Sequence, residues 1–227
     1  MLVTRAAAAN GPESWVWWDW VGRHGDDITA ALREHVELTA VAVGIGLAIS
    51  MPLAVACYRW RRLYAPVVAA TGVIYTIPSL ALFVMLIPWT GLSRTTAQIG
   101  LVGYTLLILV RNTVAGLDSV PADVREAARG MGFGPTRQLL RVELPLAVPS
   151  IVAGVRIATV TTIGLVTVTA LIGLGGLGVL ILDGLTRFFR TPVVVGSVLS
   201  VALALVADLS LLLVQRAVTP WSRKSLR

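Results

Sequence analysis

Charge is what this 227-residue sequence has little of. Only 14% of its residues are Asp, Glu, Lys or Arg, against 56% hydrophobic. A soluble domain carries about a quarter charged residues, so this balance excludes an ordinary water-soluble fold and points to a membrane protein. No polar stretch is long enough to build a second core, which leaves one membrane domain. Cysteine is nearly absent. Cys57 stands alone, so no intrachain disulfide or thiolate metal site can form, and it is predicted to be a small buried apolar residue. The two histidines, His24 and His35, both precede the first long apolar run, and neither an HExxH nor a GxSxG motif occurs. That inventory argues against an intramembrane enzyme, and no catalytic residue is assigned. There is no GxxxxGK[ST] phosphate loop, so the chain cannot hydrolyse ATP itself. The opening "MLVTRAAAANGPES" lacks the apolar core of a cleavable signal peptide.

What is present is long apolar runs. A bilayer core of about 30 Å needs about 20 helical residues. Five stretches qualify, roughly Val36–Tyr58, Pro66–Ile87, Thr95–Leu117, Leu146–Leu171 and Pro192–Val214. Lipid offers backbone groups no partners and no alternating barrel pattern appears, so these spans are expected to be helical. The expectation is an all-α membrane protein with about five transmembrane helices. Pro52 and Pro78 are expected to kink the first two.

The net charge of +7 invites a nucleic-acid reading, but membrane asymmetry accounts for it. Arg59, Arg61 and Arg62 follow span one; Arg125, Arg129, Arg137 and Arg141 lie between spans three and four; Arg216, Arg223, Lys224 and Arg227 follow span five. Fewer basic residues border the opposite side: Arg94, Arg187 and Arg190, with Arg5, Arg23 and Arg33 in the amino-terminal segment. Short loops rich in Arg and Lys stay in the cytoplasm, which puts the amino terminus outside and the carboxyl terminus inside the cell membrane. Residues 1–34 then form an extracytoplasmic, Trp-rich segment, 35–216 the membrane domain and 217–227 a basic cytoplasmic tail. Trp15, Trp17, Trp18 and Trp20 suit an interfacial anchor at headgroup depth better than a cage for a quaternary ammonium ligand.

Between spans three and four lies the polar, punctuated stretch "EAARGMGFGPTRQLLRVELP", residues 126 to 145. Ser119 and Pro121 suit the start of a first helix, "ADVREAARGM", and Gly132 its left-handed terminator. Gly134-Pro135 then starts a second, "PTRQLLRVEL", expected to end before Pro145. Apolar Ala127, Ala128, Met131 and Phe133, flanked by Glu126 and Arg129, fit a helix that docks in a groove.

Inside the spans, polar side chains are costly and mark candidate function. Arg111 and Asn112 lie toward the inner end of span three. Arg156 and Asp208 lie in the inner parts of spans four and five, at a depth where they can pair. Arg156, Thr159, Thr162, Val166 and Thr169 recur every three or four residues, hence on one helix face. That face reads either as a weakly polar wall of a solute path or as hydroxyls bonded to their own helix, with Arg156 snorkelling inward. Gly173 to Gly178, "GLGGLG", has dinucleotide-loop spacing but follows a membrane helix, so a bend or close packing ahead of a short helix is the expected use.

Glu126-Ala127-Ala128, three residues, Gly132, nine residues, then Val142-Glu143-Leu144-Pro145 closely resembles the EAA loop, here 121–145, of binding-protein-dependent ABC importer permeases. "YTIPSLALFVMLIP", "VRNTVAGLDSVPADVREAARGMG", "VELPLAVPSIVAGVRIATV" and "ALIGLGGLGVLILDGL" resemble the glycine betaine/carnitine/choline branch, over about residues 35–215. The resemblance implies an ABC type I importer permease fold with a cytoplasmic coupling helix. It implies Glu126, Ala127, Ala128, Gly132, Leu144 and Pro145 as the ATPase-coupling residues. It implies alternating access driven by two cytosolic ABC ATPases, which use the ATP and Mg, with a second permease chain, identical or paralogous, and an extracytoplasmic solute-binding protein. This chain itself would bind no cofactor. The solute would be a quaternary-ammonium osmoprotectant such as glycine betaine, choline, carnitine or proline betaine; another small polar solute, such as an amino acid, is the alternative.

Overall fold

The computed structural model describes residues 15–219. Arg5 and the basic tail residues Arg223, Lys224 and Arg227 lie outside them. The described residues form α1 (Trp18–Arg23), α2 (Gly25–Arg59), a 3-10 turn (Arg61–Leu63), α3 (Tyr64–Thr76), α4 (Ser79–Thr90) and α5 (Arg94–Asp118). There follow α6 (Ala122–Gly130), α7 (Pro135–Gln138), a π-helical turn (Leu139–Glu143), α8 (Leu144–Val168), a 3-10 turn (Thr169–Ile172), α9 (Gly178–Thr186) and α10 (Arg190–Val218).

Among the described residues, four segments are long and apolar enough to cross a membrane: Gly25–Arg59, Arg94–Asp118, Pro135–Ile172 and Arg190–Val218. The expected second span differs. Arg61–Thr76 and Ser79–Thr90 meet at 97°, so a straight helix over Pro66–Ile87 is replaced by a broken one. Pro78 caps α4 with φ −54° and ψ 134°. Its ring disfavours a helical conformation at the preceding residue, and it has no N–H with which to continue α3. At Pro52 the expected kink is not a break, because α2 runs on as one helix.

Chain contacts define two compact units. One is built from the chain up to Ala42, Ile77–Leu101 and Val160–Val206; the other from Val43–Thr76, Val102–Thr159 and the chain from Ala207. In the first, Phe83 is fully buried and its ring lies where a side chain at Gly100 would stand. In the second, Ala54, Cys57, Val110 and Val114 form a buried cluster, with Leu53, Leu63, Tyr64 and Val67 packed against it. Cys57 thus takes the apolar core role read from the sequence. Small residues bring α5 and α8 together there. A Cβ at Gly116 would lie 3.0 Å from the Ala147 carbonyl oxygen, and one at Gly154 would lie 2.6 Å from Asn112 Cβ. Such close backbone approach is the usual packing of membrane helices.

The aromatic segment divides its rings. Trp20 stacks on His24 at 4.3 Å, and Trp17 and Trp20 both meet Phe189 edge-on. Trp15 and Trp18 stay exposed. The four indoles therefore do not converge into a cage.

Candidate functional site: the polar loop and the charged groups of the spans

The loop begins where α5 ends. Ser119 does not cap α6; its hydroxyl donates back to the Gly116 carbonyl at 2.7 Å. Pro121 is the residue before the first turn of α6, and its carbonyl accepts from Arg125 N–H at 3.3 Å. The other end of α6 is as expected. Gly132 has φ +80°, Gly132 N–H donates to Arg129 O at 2.9 Å, and Phe133 N–H donates to Ala128 O at 3.1 Å. These two bonds are the Schellman pair, which closes a helix around a left-handed residue. Nothing lies within 4 Å of a Cβ built at Gly132, so only the backbone conformation demands glycine there.

The second helix does not stop before Pro145. Pro135 begins α7, which widens into the π turn Leu139–Glu143 and continues into α8 through Leu144 and Pro145. A proline in an α-helix clashes with the carbonyl four residues back, here Arg141, and cannot bond it. Arg141 lies inside the π turn, where the wider i→i+5 turn lets the helix run on through the proline. Pro145 thus follows a change from π-helical to α-helical bonding within one 38-residue element, Pro135–Ile172.

The exposed face of the loop carries Glu126, Ala127, Arg129 and Met131. Ala128, expected beside them, is 1% exposed and packs inward. Phe133 is half-buried under the Arg137 guanidinium, 4.4 Å from the ring centroid. Leu144 and Pro145 are half-buried. Glu126 makes no hydrogen bond or ion pair among the described residues, so its carboxylate anchors nothing within the loop.

That anchoring falls to residues the motif does not mark. Arg125 donates to the Tyr58 hydroxyl at 3.1 Å, to the Asp118 carbonyl at 3.4 Å and to the Val120 carbonyl. Those carbonyls close the end of α5, and Tyr58 stands at the end of α2. Glu143 is buried and accepts from Gln138 Nε2 at 2.7 Å. Tyr58, Glu143, Gln138 and Phe133 share the wall of a cleft of about 610 Å³. Arg61, whose guanidinium lies 5.2 Å from the Tyr58 ring centroid, forms a two-point ion pair with Asp118, one bond being 2.8 Å. Glu143 is not among the coupling residues that the resemblance implies, and a charged residue in a polar loop carries no local signal of burial.

Among the span residues, Arg156 and Asp208 pair as the sequence suggested. Nε donates to Oδ1 at 2.9 Å and Nη2 to Oδ2 at 2.8 Å. Arg156 also reaches Gln215 at 3.4 Å, and Gln215 Nε2 donates to the Pro149 carbonyl at 3.2 Å. Thr159 bonds its own helix at Val155 O, and Thr169 bonds Val166 O. Thr162, Val166 and Thr169 are buried in the first unit, so that part of the face packs inside the chain. Arg111 is exposed and has no partner among the described residues, and Asn112 donates to Ile108 O at 2.8 Å.

The glycine run has a structural use. Gly173 and Gly176 have φ of +76° and +85°, and a Cβ at Gly178 would lie 2.2 Å from the Thr167 carbonyl oxygen. The bend delivers Gly176 N–H to Glu34 at 3.3 Å and Leu177 N–H to His35 Nδ1 at 3.2 Å. An accepting Nδ1 fixes the proton of neutral His35 on Nε2, which donates to Ile163 O at 3.0 Å. Glu34 also holds Arg94 at 3.1 Å, with Glu37 on the same guanidinium. The Glu34–Gly176 and His35–Leu177 contacts join residues 142 apart in the chain, which no local pattern reports.

Residues 42–220 match the family described as binding-protein-dependent transport system inner membrane component. Osmoprotectant import permease protein OsmW of Salmonella typhimurium is 39% identical over 192 residues, 82% of this chain and 89% of that protein. Glycine betaine/carnitine/choline transport system permease protein OpuCB of Bacillus subtilis is 34% identical, over 87% of this chain and 91% of that one. Among solved structures, the inward-facing MetNI methionine ABC transporter is similar at a TM-score of 0.78 and 27% identity, covering 84% of this chain and 95% of its own. The fold is that of an ABC type I importer permease, the ATPase is a separate subunit, and this chain is not an enzyme. With four apolar helices long enough to cross a membrane among its described residues and a match over residues 42–220, the chain belongs to the inner membrane component family of binding-protein-dependent transport systems.

Proposed function

We propose that this chain is the permease of an importer for quaternary-ammonium osmoprotectants such as glycine betaine, choline, carnitine or proline betaine. It works by alternating access with cytosolic ABC ATPases, a second permease chain, identical or paralogous, and an extracytoplasmic binding protein. The observation that carries the coupling role is the loop's construction. A helix with a Schellman terminus presents Glu126, Ala127, Arg129 and Met131 outward, while Arg125, Tyr58 and Glu143 hold it from behind. Glu126 has no partner among the described residues, so its charge is available to the ATPase. Gly132, Leu144 and Pro145 shape the segment, and Ala128 supports it from inside. Support for the solute is the relatives whose names specify osmoprotectants.

Expressed with its ATPase, partner permease and binding protein in cells stripped of osmoprotectant transport, the chain is expected to restore uptake of labelled glycine betaine or choline. Uptake of methionine with no quaternary amine taken up would replace the solute assignment and leave the permease role intact.

The proposed orientation places Arg59, Arg61, Arg62 and the polar loop in the cytoplasm and Arg94, Arg187 and the amino terminus outside. Arg61 and Arg94 hold ion pairs, so their exposed neighbours make better probes. In a Cys57→Ala background, an impermeant thiol reagent applied to intact cells is expected to label Leu92→Cys and not Arg62→Cys. The reverse pattern inverts the topology.

A further inference from the structure

The second unit holds an open cavity of about 500 Å³ whose walls include Tyr64 and Tyr75 of α3, Ile108, Arg111 and Asn112 of α5, and Ile157 of α8. Its chemistry is uneven. One cation lines it, Arg111, and no carboxylate does. Arg111 has no partner among the described residues, and an unpaired guanidinium along a membrane span is costly unless something else supplies the anion. Asn112, one residue on, spends an N–H on the Ile108 carbonyl and keeps its side-chain oxygen available as an acceptor.

The two phenol rings are held from behind. Tyr64 packs on the Ala54–Cys57–Val110–Val114 cluster, and Tyr75 meets Tyr104 edge-on at 5.8 Å. Fixed aromatic faces attract a soft, weakly hydrated cation such as trimethylammonium, which cannot donate a hydrogen bond. A bare cation in the same cavity faces Arg111 with no compensating negative charge. A zwitterion resolves this, with its carboxylate on Arg111 and its quaternary nitrogen against the tyrosines.

We infer that this cavity is a solute site within the permease itself, selective for carboxylated quaternary amines such as glycine betaine over the uncarboxylated cation choline. The inference rests on the osmoprotectant reading and divides its solute class in two. Arg111 sets the division and the tyrosines serve both kinds of solute.

The test uses the permease assembled with its ATPase in nanodiscs of phosphatidylethanolamine and phosphatidylglycerol, so that no lipid carries a trimethylammonium group. Without the binding protein, weak binding of glycine betaine and of choline is read by saturation transfer to their methyl protons. Wild type is expected to bind glycine betaine about tenfold or more tighter than choline, the worth of one charge-assisted bond. Arg111→Gln removes that preference by weakening glycine betaine alone, Arg111→Lys keeps most of it, and Tyr75→Ala weakens both solutes. Equal binding of the two by wild type, binding of neither, or an equal loss of both in Arg111→Gln overturns the inference. A complete transporter that takes up no quaternary amine is a separate result, which removes the osmoprotectant reading on which the site depends.

Discussion

Glu126→Lys and Gly132→Asp are each expected to cut solute uptake below about a tenth of wild type while the permease stays in the membrane at its normal level. Neither change disturbs packing. Glu126 is exposed and has no partner among the described residues, and the space around Gly132 is open. The two act by different routes. Reversing the charge at Glu126 removes an acceptor from the face offered to the ATPase and puts repulsion in its place. A charge-assisted bond at such a contact is worth about 1.5–3 kcal/mol, so its loss alone weakens docking by about tenfold or more. At Gly132 the cost is conformational. A side chain at φ +80° is strained by about 1–2 kcal/mol, and Asp also places a negative charge at the C-terminal end of α6, where the helix dipole disfavours it. Relief comes from opening the Schellman turn, which swings the presented face relative to Phe133 and α7. Membrane level, ATPase copurification and solute-stimulated hydrolysis, measured together, separate the routes. Glu126→Lys should lose copurification. Gly132→Asp should keep more of it but hydrolyse ATP without uptake. If both variants transport normally, the loop is only a connection.

That prediction draws on the part of the molecule sequence conveys best. The loop's start at Pro121, its end at Gly132 and the restart at Pro135 are local events, each set by one residue's backbone chemistry. The apolar runs are similarly legible, because a bilayer demands length and hydrophobicity before anything else. Legibility fails where a local signal has two structural outcomes. Pro52 and Pro78 look alike in the sequence, yet one lies within a continuous helix and the other separates two helices at 97°. Pro145 signals a helix end but is accommodated by a π turn. Legibility fails again where partners are distant. Glu34 and His35 stand next to an apolar run with nothing to say that the glycine bend would close on them, and Tyr58 gives no sign of its bond to Arg125. Periodicity lines up Thr159, Thr162, Val166 and Thr169, but it cannot say that Thr162, Val166 and Thr169 are buried in the chain's own packing.

Arg156 and Asp208 are the case where a sequence-level guess became a geometry, and removing either is expected to cost more than removing both. The pair has two parallel bonds, at 2.9 and 2.8 Å, and Gln215 ties the guanidinium to the backbone of Pro149. Arg156→Ala leaves a carboxylate on α10 facing an apolar neighbourhood, and Asp208→Ala leaves a guanidinium with only the Gln215 oxygen. Either stranded charge raises the free energy of the inserted fold, and recovered protein should fall several-fold. Replacing both with apolar residues of similar reach, Arg156→Met with Asp208→Leu, strands no charge, so the membrane level should return to near wild type. The exchanged pair, Arg156→Asp with Asp208→Arg, should also recover, since the Gln215 amide can donate to a carboxylate at position 156 as readily as it accepts from a guanidinium. The cycle built from the two alanine variants and their double variant then measures the coupling directly. Losses that simply add, with no recovery in either paired replacement, would mean that each residue acts through something other than its partner. Uptake by the apolar pair divides structure from transport: full uptake makes the ion pair a device for assembling α8 and α10, and normal insertion without uptake makes it part of the moving machinery. The first outcome is expected, because Arg156 and Asp208 satisfy each other at both ends and leave no charge for a passing solute.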